Sequence, residues 1–260
     1  MLKRDIKVDW RFIEVYYEIN SLGTFLDIME EQLKHLTDQE KVKAFANVDW
    51  QDETDVAIAY QAMYERIDNI LPRYFRNPLI IPLWAMFESV AIDIAEYIRT
   101  KNNIDKEFKE INKCSDNILK ALQTYYTQYL KVPLFKPTSM NTHINIVRVI
   151  RNAIAHWGGR LEIMPTDVRK TINKWIELDI GINVYLDNLV LSEHFLQEAY
   201  LIVKKSLSEL IERVRNKYPH GADVFPVPKG LPRRAGKMPL SGQETIKQNG
   251  SFCLMVEIQD

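Results

Sequence analysis

The chain has 260 residues, 46% of them hydrophobic and 27% charged, which lies near the averages for globular proteins and leaves ample apolar material for one large domain, with or without an appendage. Lys and Arg number 34 against 35 Asp and Glu, so no overall basic field marks a nucleic-acid binder, and any contact with RNA has to be local. Cys114 and Cys253 lie far apart and follow no metal-ligand spacing, which excludes a zinc ribbon or a disulfide scaffold and fits a cytoplasmic chain.

The start, Met1 to Trp10, lacks the apolar core of a signal peptide, and charged residues interrupt the later apolar runs, so no membrane role is expected. Only 9 glycines, with apolar positions recurring every three or four residues, place the chain in the all-α class. From Val8 to about Thr37, Phe12, Val15, Ile19, Leu22, Leu26, Met29 and Leu33 mark an amphipathic helix; Gly23, flanked by polar residues, is a weak point that leaves open a pair of shorter helices. A second helical stretch begins after Asp52 or Thr54, either of which suits a cap, and runs through Val56, Tyr60, Met63, Ile67 and Ile70.

Pro72, Pro78 and Pro82 are expected to interrupt or kink the chain. From Leu83 to about Arg99 the apolar density is so high that this helix is expected at the centre, with Glu88 inside the run. Ser115-Asp116 suits the cap of a further helix that ends before the Pro133 to Pro137 loop. A helix from Ser139 to His156 follows and stops at Gly158-Gly159. Short alternation over Ile180 to Leu191 predicts a small hairpin around Asp187-Asn188, after which Ser192-Glu193 starts a last helix running to Val214. Beyond about Tyr218, Pro219, Pro226, Pro228, Pro232 and Pro239 cluster among glycines and basic residues, the texture of an irregular extension. The expected organisation is an N-terminal helical extension over 1–50, a helical domain over 51–217 and an irregular tail over 218–260.

The segment that carries chemistry is Arg151-Asn152-Ala153-Ile154-Ala155-His156, at the end of an apolar helix. An Arg-Asn pair with His four positions after the Asn arises by chance in roughly one chain in a hundred. Histidine titrates near neutrality and suits proton transfer at a 2′-hydroxyl or a leaving oxygen. The planar donor fork of Arg151 matches phosphate oxygens, and Asn152, one helical turn before His156, suits a phosphate contact or the orientation of the imidazole. Arg151 and His156 are five apart, about 140° around an ideal helix. Either the last turn unwinds at Gly158-Gly159, or the two side chains meet only across a two-fold dimer.

Other readings of the same residues stay open. His156 is also placed to complement the C-terminal dipole of its helix. Arg148 and Arg151 are equally able to form ion pairs with Glu88 or Asp93, and Arg148 to support a phosphate. Glu88 is either a buried partner for Arg151 or a residue at the helix edge. Trp157 and Arg160 suit a base or phosphate beside the site, or simple packing. His143 reads as a surface residue, while His35, His194 and His220 show no partners.

The motif, its apolar helix and the Gly-Gly stop resemble the signature of the HEPN superfamily, over about Asp52 to Lys217. The resemblance implies a HEPN-like antiparallel helical bundle, a homodimer with the signature helices facing one another, and metal-independent RNA cleavage by Arg151, Asn152 and His156 in a toxin or antiviral defence system. It implies Arg148, Trp157 and Arg160 as substrate contacts, Glu88 as a supporting residue, no metal or other cofactor, and an antitoxin or defence-system partner. A catalytically inactive dimerisation or adaptor module is the alternative. The branch silenced by nucleotidyltransferase-like antitoxins carries a tyrosine two residues after the histidine; Gly158 stands there instead.

Overall fold

The computed structural model describes residues 12–218 except Asn47, Asp116, Lys136 and Pro137. The helix start expected at Val8 and the extension beyond Tyr218 lie outside the described residues.

Helix α1 (Ile13–Phe45) runs 33 residues without a break at Gly23, past the expected end at Thr37. Gly23 is there for contact rather than for flexibility. A Cβ at that position would collide with the Tyr200 hydroxyl and come within 2.7 Å of Tyr200 Cζ, so glycine lets the last helix cross closely. The same tyrosine donates its hydroxyl to Ile19 O at 3.2 Å. Expected within an N-terminal extension, α1 buries Ile19, Leu26 and Leu33 and carries Glu30, whose two carboxylate oxygens accept from Arg76 Nε and Nη2, each at 2.8 Å. Buried charge of this kind persists only because it is paired at both oxygens.

Asp52, rather than Thr54, caps α2 (Glu53–Ala62), accepting the Thr54 N–H at 2.8 Å. The chain then stays helical through a π-helical stretch Met63–Ile70, α3 (Leu71–Arg76), a 3-10 turn Asn77–Leu79 and α4 (Ile80–Lys101). The three prolines therefore do not end the helix. Each lacks an N–H and crowds the carbonyl four residues back in α geometry. Wider π turns lead up to Pro72, Pro78 sits inside the 3-10 turn, and Pro82 falls in the first turn of α4. A stretch within Glu53–Lys101 is long and apolar enough by composition to cross a membrane, contrary to the expectation that charge breaks every apolar run; 56% of it is buried inside the protein. That burial belongs to α4, whose Ile80, Leu83, Trp84, Phe87, Val90, Ala91 and Ile94 form the centre of the core.

Two short helices follow, α5 (Phe108–Lys113) and α6 (Ile118–Thr124); α5 had no sequence expectation. Asn117 caps α6, accepting the Leu119 N–H at 2.9 Å, while Ser115 bonds the Asn117 backbone instead. The helix continues as π turns over Tyr125–Tyr129, and Tyr126 donates its hydroxyl to Ala91 O of α4 at 2.6 Å. Helix α7 (Thr138–Trp157) packs against α4 and the last helix, and α8 (Thr166–Glu177) lies in a stretch that periodicity left unassigned.

Strands β1 (Ile182–Tyr185) and β2 (Asn188–Leu191) pair antiparallel, with Ile182 opposite Leu191 and Tyr185 opposite Asn188. Leu186 and Asp187 make the turn, at φ 45° and 61°, one residue earlier than expected. Two consecutive positive φ values are what a two-residue hairpin of right-twisted strands requires. Ser192 then caps α9 (Glu193–Lys217), accepting the Phe195 N–H at 3.0 Å. The architecture is a mostly α bundle with a two-stranded hairpin before the last helix.

Candidate functional site

The buried side chains of α7 are Met140, Ile144, Val147, Ile150 and Ala153. Steps of three advance about 300° rather than a full turn, so the buried stripe winds around the helix as the chain proceeds. Winding of this kind brings Arg148, Arg151 and Asn152 onto a half-buried flank, while Ala155 and His156 are exposed.

Both cations on that flank are bonded to neutral amides. Arg148 donates from Nε and Nη2 to Asn145 Oδ1 at 3.1 and 2.9 Å, and Arg151 donates from Nη1 to Asn152 Oδ1 at 3.0 Å. The Nε of Arg151 is buried and has no hydrogen-bond partner among the described residues. Burial holds the Arg148 guanidinium below the usual arginine range, yet an arginine stays charged in a protein. Among the described residues no carboxylate forms an ion pair with either one.

Glu88 does not supply that charge. Its Oε2 accepts the indole N–H of Trp84 at 2.8 Å, because residues four apart on α4 share a face and satisfy each other locally. Asp93 is exposed and pairs with neither arginine. The readings of Glu88 as partner to Arg151 and of Asp93 as an ion-pair partner are thereby corrected.

His156 remains inside intact helix, which extends one residue further to Trp157, so the last turn does not unwind ahead of it. Its ring meets Trp157 edge to face, with centroids 5.9 Å apart. Asn152 spends its carbonyl on Arg151, and within one chain Arg151 and His156 are not brought into contact. Trp157 is half-buried and packs against the core. Arg160 is exposed and its guanidinium pairs with Glu162.

The end of α7 is held by the hairpin. Gly158 and Gly159 take φ of 59° and 78°, and Gly159 N–H donates to Ala153 O at 3.1 Å. Leu189 N–H donates to Gly159 O, and Leu161 N–H to Asp187 O, both at 2.9 Å. Asn77, from the 3-10 turn before α4, grips the other side of β2: its Nδ2 donates to Leu189 O at 2.8 Å and its Oδ1 accepts Leu191 N–H at 3.2 Å. Asn77 and Asn145 had no sequence expectation. Asn145 was within reach of the three-residue spacing to Arg148; Asn77 is 112 residues from its partner and left no local signal.

His35 bonds Gln39, His143 and His194 are exposed, and His220 lies outside the described residues. Among the described residues no group of three or more His, Cys, Asp or Glu is placed to hold a metal ion. What α7 offers chemically is two guanidinium groups on one flank, without a carboxylate partner among the described residues, in a chemistry that suits phosphate, with an exposed imidazole on the following turn. No protein-family model matches this chain, and no curated protein or solved structure does either.

Proposed function

We propose that α7 presents the active site of a metal-independent endoribonuclease of the HEPN type, working as a homodimer in a toxin or antiviral defence setting, with an antitoxin or defence-system protein as its partner. The observation that carries this reading is the charge on the flank: Arg148 and Arg151 are half-buried, their bonds among the described residues go to Asn145 and Asn152, and no described carboxylate pairs with them. Desolvated cations without anions cost stability, and a phosphodiester supplies the missing charge.

In the reaction the 2′-hydroxyl oxygen attacks the adjacent phosphorus as its proton is taken up, the bond to the 5′-oxygen breaks, and that oxygen receives a proton. The products end in a 2′,3′-cyclic phosphate and a 5′-hydroxyl. His156 moves the protons and Arg151 stabilises the charge growing on the phosphoryl oxygens, with Asn152 orienting the guanidinium it already holds. Since His156 stays helical, about 140° from Arg151, the two act on one phosphate only when a second copy presents its α7 to the first.

Wild-type protein, Arg151→Ala and His156→Ala are compared on total RNA in EDTA, at matched folding and dimer content. Cleavage by wild type alone is the expected result, with partial recovery when the two inactive variants are mixed. Equal cleavage by all three sinks the assignment, and no recovery in any mixture sinks the shared site. Absence of cleavage in all three leaves the second reading, a silent dimerisation or adaptor module, which the separation of Arg151 from His156 within one chain favours.

A further inference from the structure

A cavity of about 540 Å³ lies where the N-terminal half of α7, the end of α8 and the first turns of α9 meet, separate from the Arg148 and Arg151 flank. Its apolar lining comes from Ile146, Val147, Trp175, Phe195 and Ile202. That size and lining suit a small molecule with an apolar body.

The cavity is shaped by fixed backbone. Ser192 N–H donates to Gly181 O at 2.9 Å, and Ser192 Oγ holds the Phe195 N–H at 3.0 Å. Gly181, at φ 83°, lets the chain pass so close that a Cβ there would lie 3.1 Å from Phe195 Cβ. Phe195 is thus pinned by the same turn that starts α9, so that wall of the cavity is set by hydrogen bonds to the backbone.

The formal charges among the lining residues have one sign. Asp179 and Glu198 are the acidic lining residues, no lysine or arginine joins them, and neither carboxylate forms an ion pair among the described residues. The C-terminal end of α8 adjoins them at Leu178 and Asp179, and the dipole of a helix puts negative potential at that end. His143 and His194 also line the pocket and supply ring N–H donors that an anion would use. An anion would have to sit beside two uncompensated carboxylates. Of the amides at the start of α9, the Phe195 and Leu196 N–H groups are already taken by Ser192 Oγ and Ser192 O.

We propose that this cavity binds a small organic cation, an ammonium group carried on an apolar or aromatic body, with the ammonium between Asp179 and Glu198 and the body against Trp175, Phe195 and Ile202. Aromatic walls reinforce the preference, because a ring face attracts cations. The site is independent of RNA cleavage and stands whether or not α7 is catalytic.

The full chain is titrated by calorimetry with 3-phenylpropylammonium, 3-phenylpropanol and 3-phenylpropionate, which share a body and differ in head group. The ammonium is expected to bind, the alcohol about tenfold more weakly, and the carboxylate more weakly still. Glu198→Gln and Asp179→Asn, both at exposed positions, are each expected to weaken the ammonium by about tenfold and leave the alcohol unchanged. Preference for the carboxylate, equal affinity for ammonium and alcohol, ammonium affinity unchanged in both variants, or no ammonium binding at millimolar concentration would each overturn the proposal.

Discussion

Arg151 donates through Nη1 to Asn152 Oδ1 at 3.0 Å while its Nε stays buried without a described acceptor, so the guanidinium is oriented by a neutral neighbour and left with charge to spare. A cation kept this way contributes little to folding. Arg148, half-buried on the same flank and bonded among the described residues to Asn145, is in the same position.

Replacing Arg151 or Arg148 by Met keeps the apolar stem and removes the uncompensated charge. Stability in urea is expected to hold or rise, while the proposed RNA cleavage is expected to fall at least ~100-fold in Arg151→Met, the usual loss on deleting a donor to a charged transition state. A stability loss above about 1 kcal/mol would instead make the arginine a structural residue.

Asn77 grips β2 at both Leu189 and Leu191. Asn77→Ala leaves a buried carbonyl and a buried amide unmatched, with an expected cost of about 2–3 kcal/mol. Amide hydrogen exchange at Leu191 is expected to accelerate first. Unchanged protection there would show that the strand is held by its hairpin partner alone.

Gly23→Ala improves intrinsic helix propensity by about 1 kcal/mol yet places a methyl group against the Tyr200 ring. The collision is expected to win, lowering stability by about 1–3 kcal/mol in thermal unfolding. Made in a Tyr200→Leu background, the same change is expected to stabilise, and a penalty that persists there would place its cause elsewhere.

Tyr126 is fully buried against Ala91 O, and burial pushes its hydroxyl well above the usual tyrosine range; Tyr125 is pushed up to about 12 for the same reason. In the unfolded chain a tyrosine ionises near 10. The folded state therefore keeps protons that the unfolded state releases. The stability this contributes is complete below about pH 10 and drains away as pH rises towards about 12. Urea unfolding from about pH 9 upward is expected to show that decline, shallower in Tyr126→Phe, which starts about 1 kcal/mol less stable. Parallel curves for the two proteins would remove Tyr126 as the cause.

Features written in neighbouring residues were legible. Asp52 and Ser192 cap their helices as expected, because a cap needs only a short polar side chain and an N–H two or three residues on. The Gly158-Gly159 stop and the hairpin were legible for the same reason, although its turn starts at Leu186, where a bulky residue takes a φ that its type does not advertise. Pro72 and Pro78 marked where α geometry is interrupted, and the chain meets each with a change of helix type rather than a break, since a proline forbids an α-helical bond but not a different turn. The Arg151 to His156 motif was visible as a pattern, while its surroundings were not: Glu88 is claimed by Trp84, and Arg160 by Glu162.

By itself, the sequence determined the helical class, the starts of α2 and α9, the stop of α7, and a histidine at the end of an apolar helix that also carries two arginines. These follow from periodicity and from bonds that close within a few residues. Only the tertiary structure decided that the arginines lack carboxylate partners among the described residues, that Gly23 admits Tyr200, that Asn77 locks the strand beside the motif, and that α7, α8 and α9 line a cavity with Asp179 and Glu198 in its wall. The reason is physical: desolvation and charge compensation depend on which distant groups share a space, and no local pattern records that.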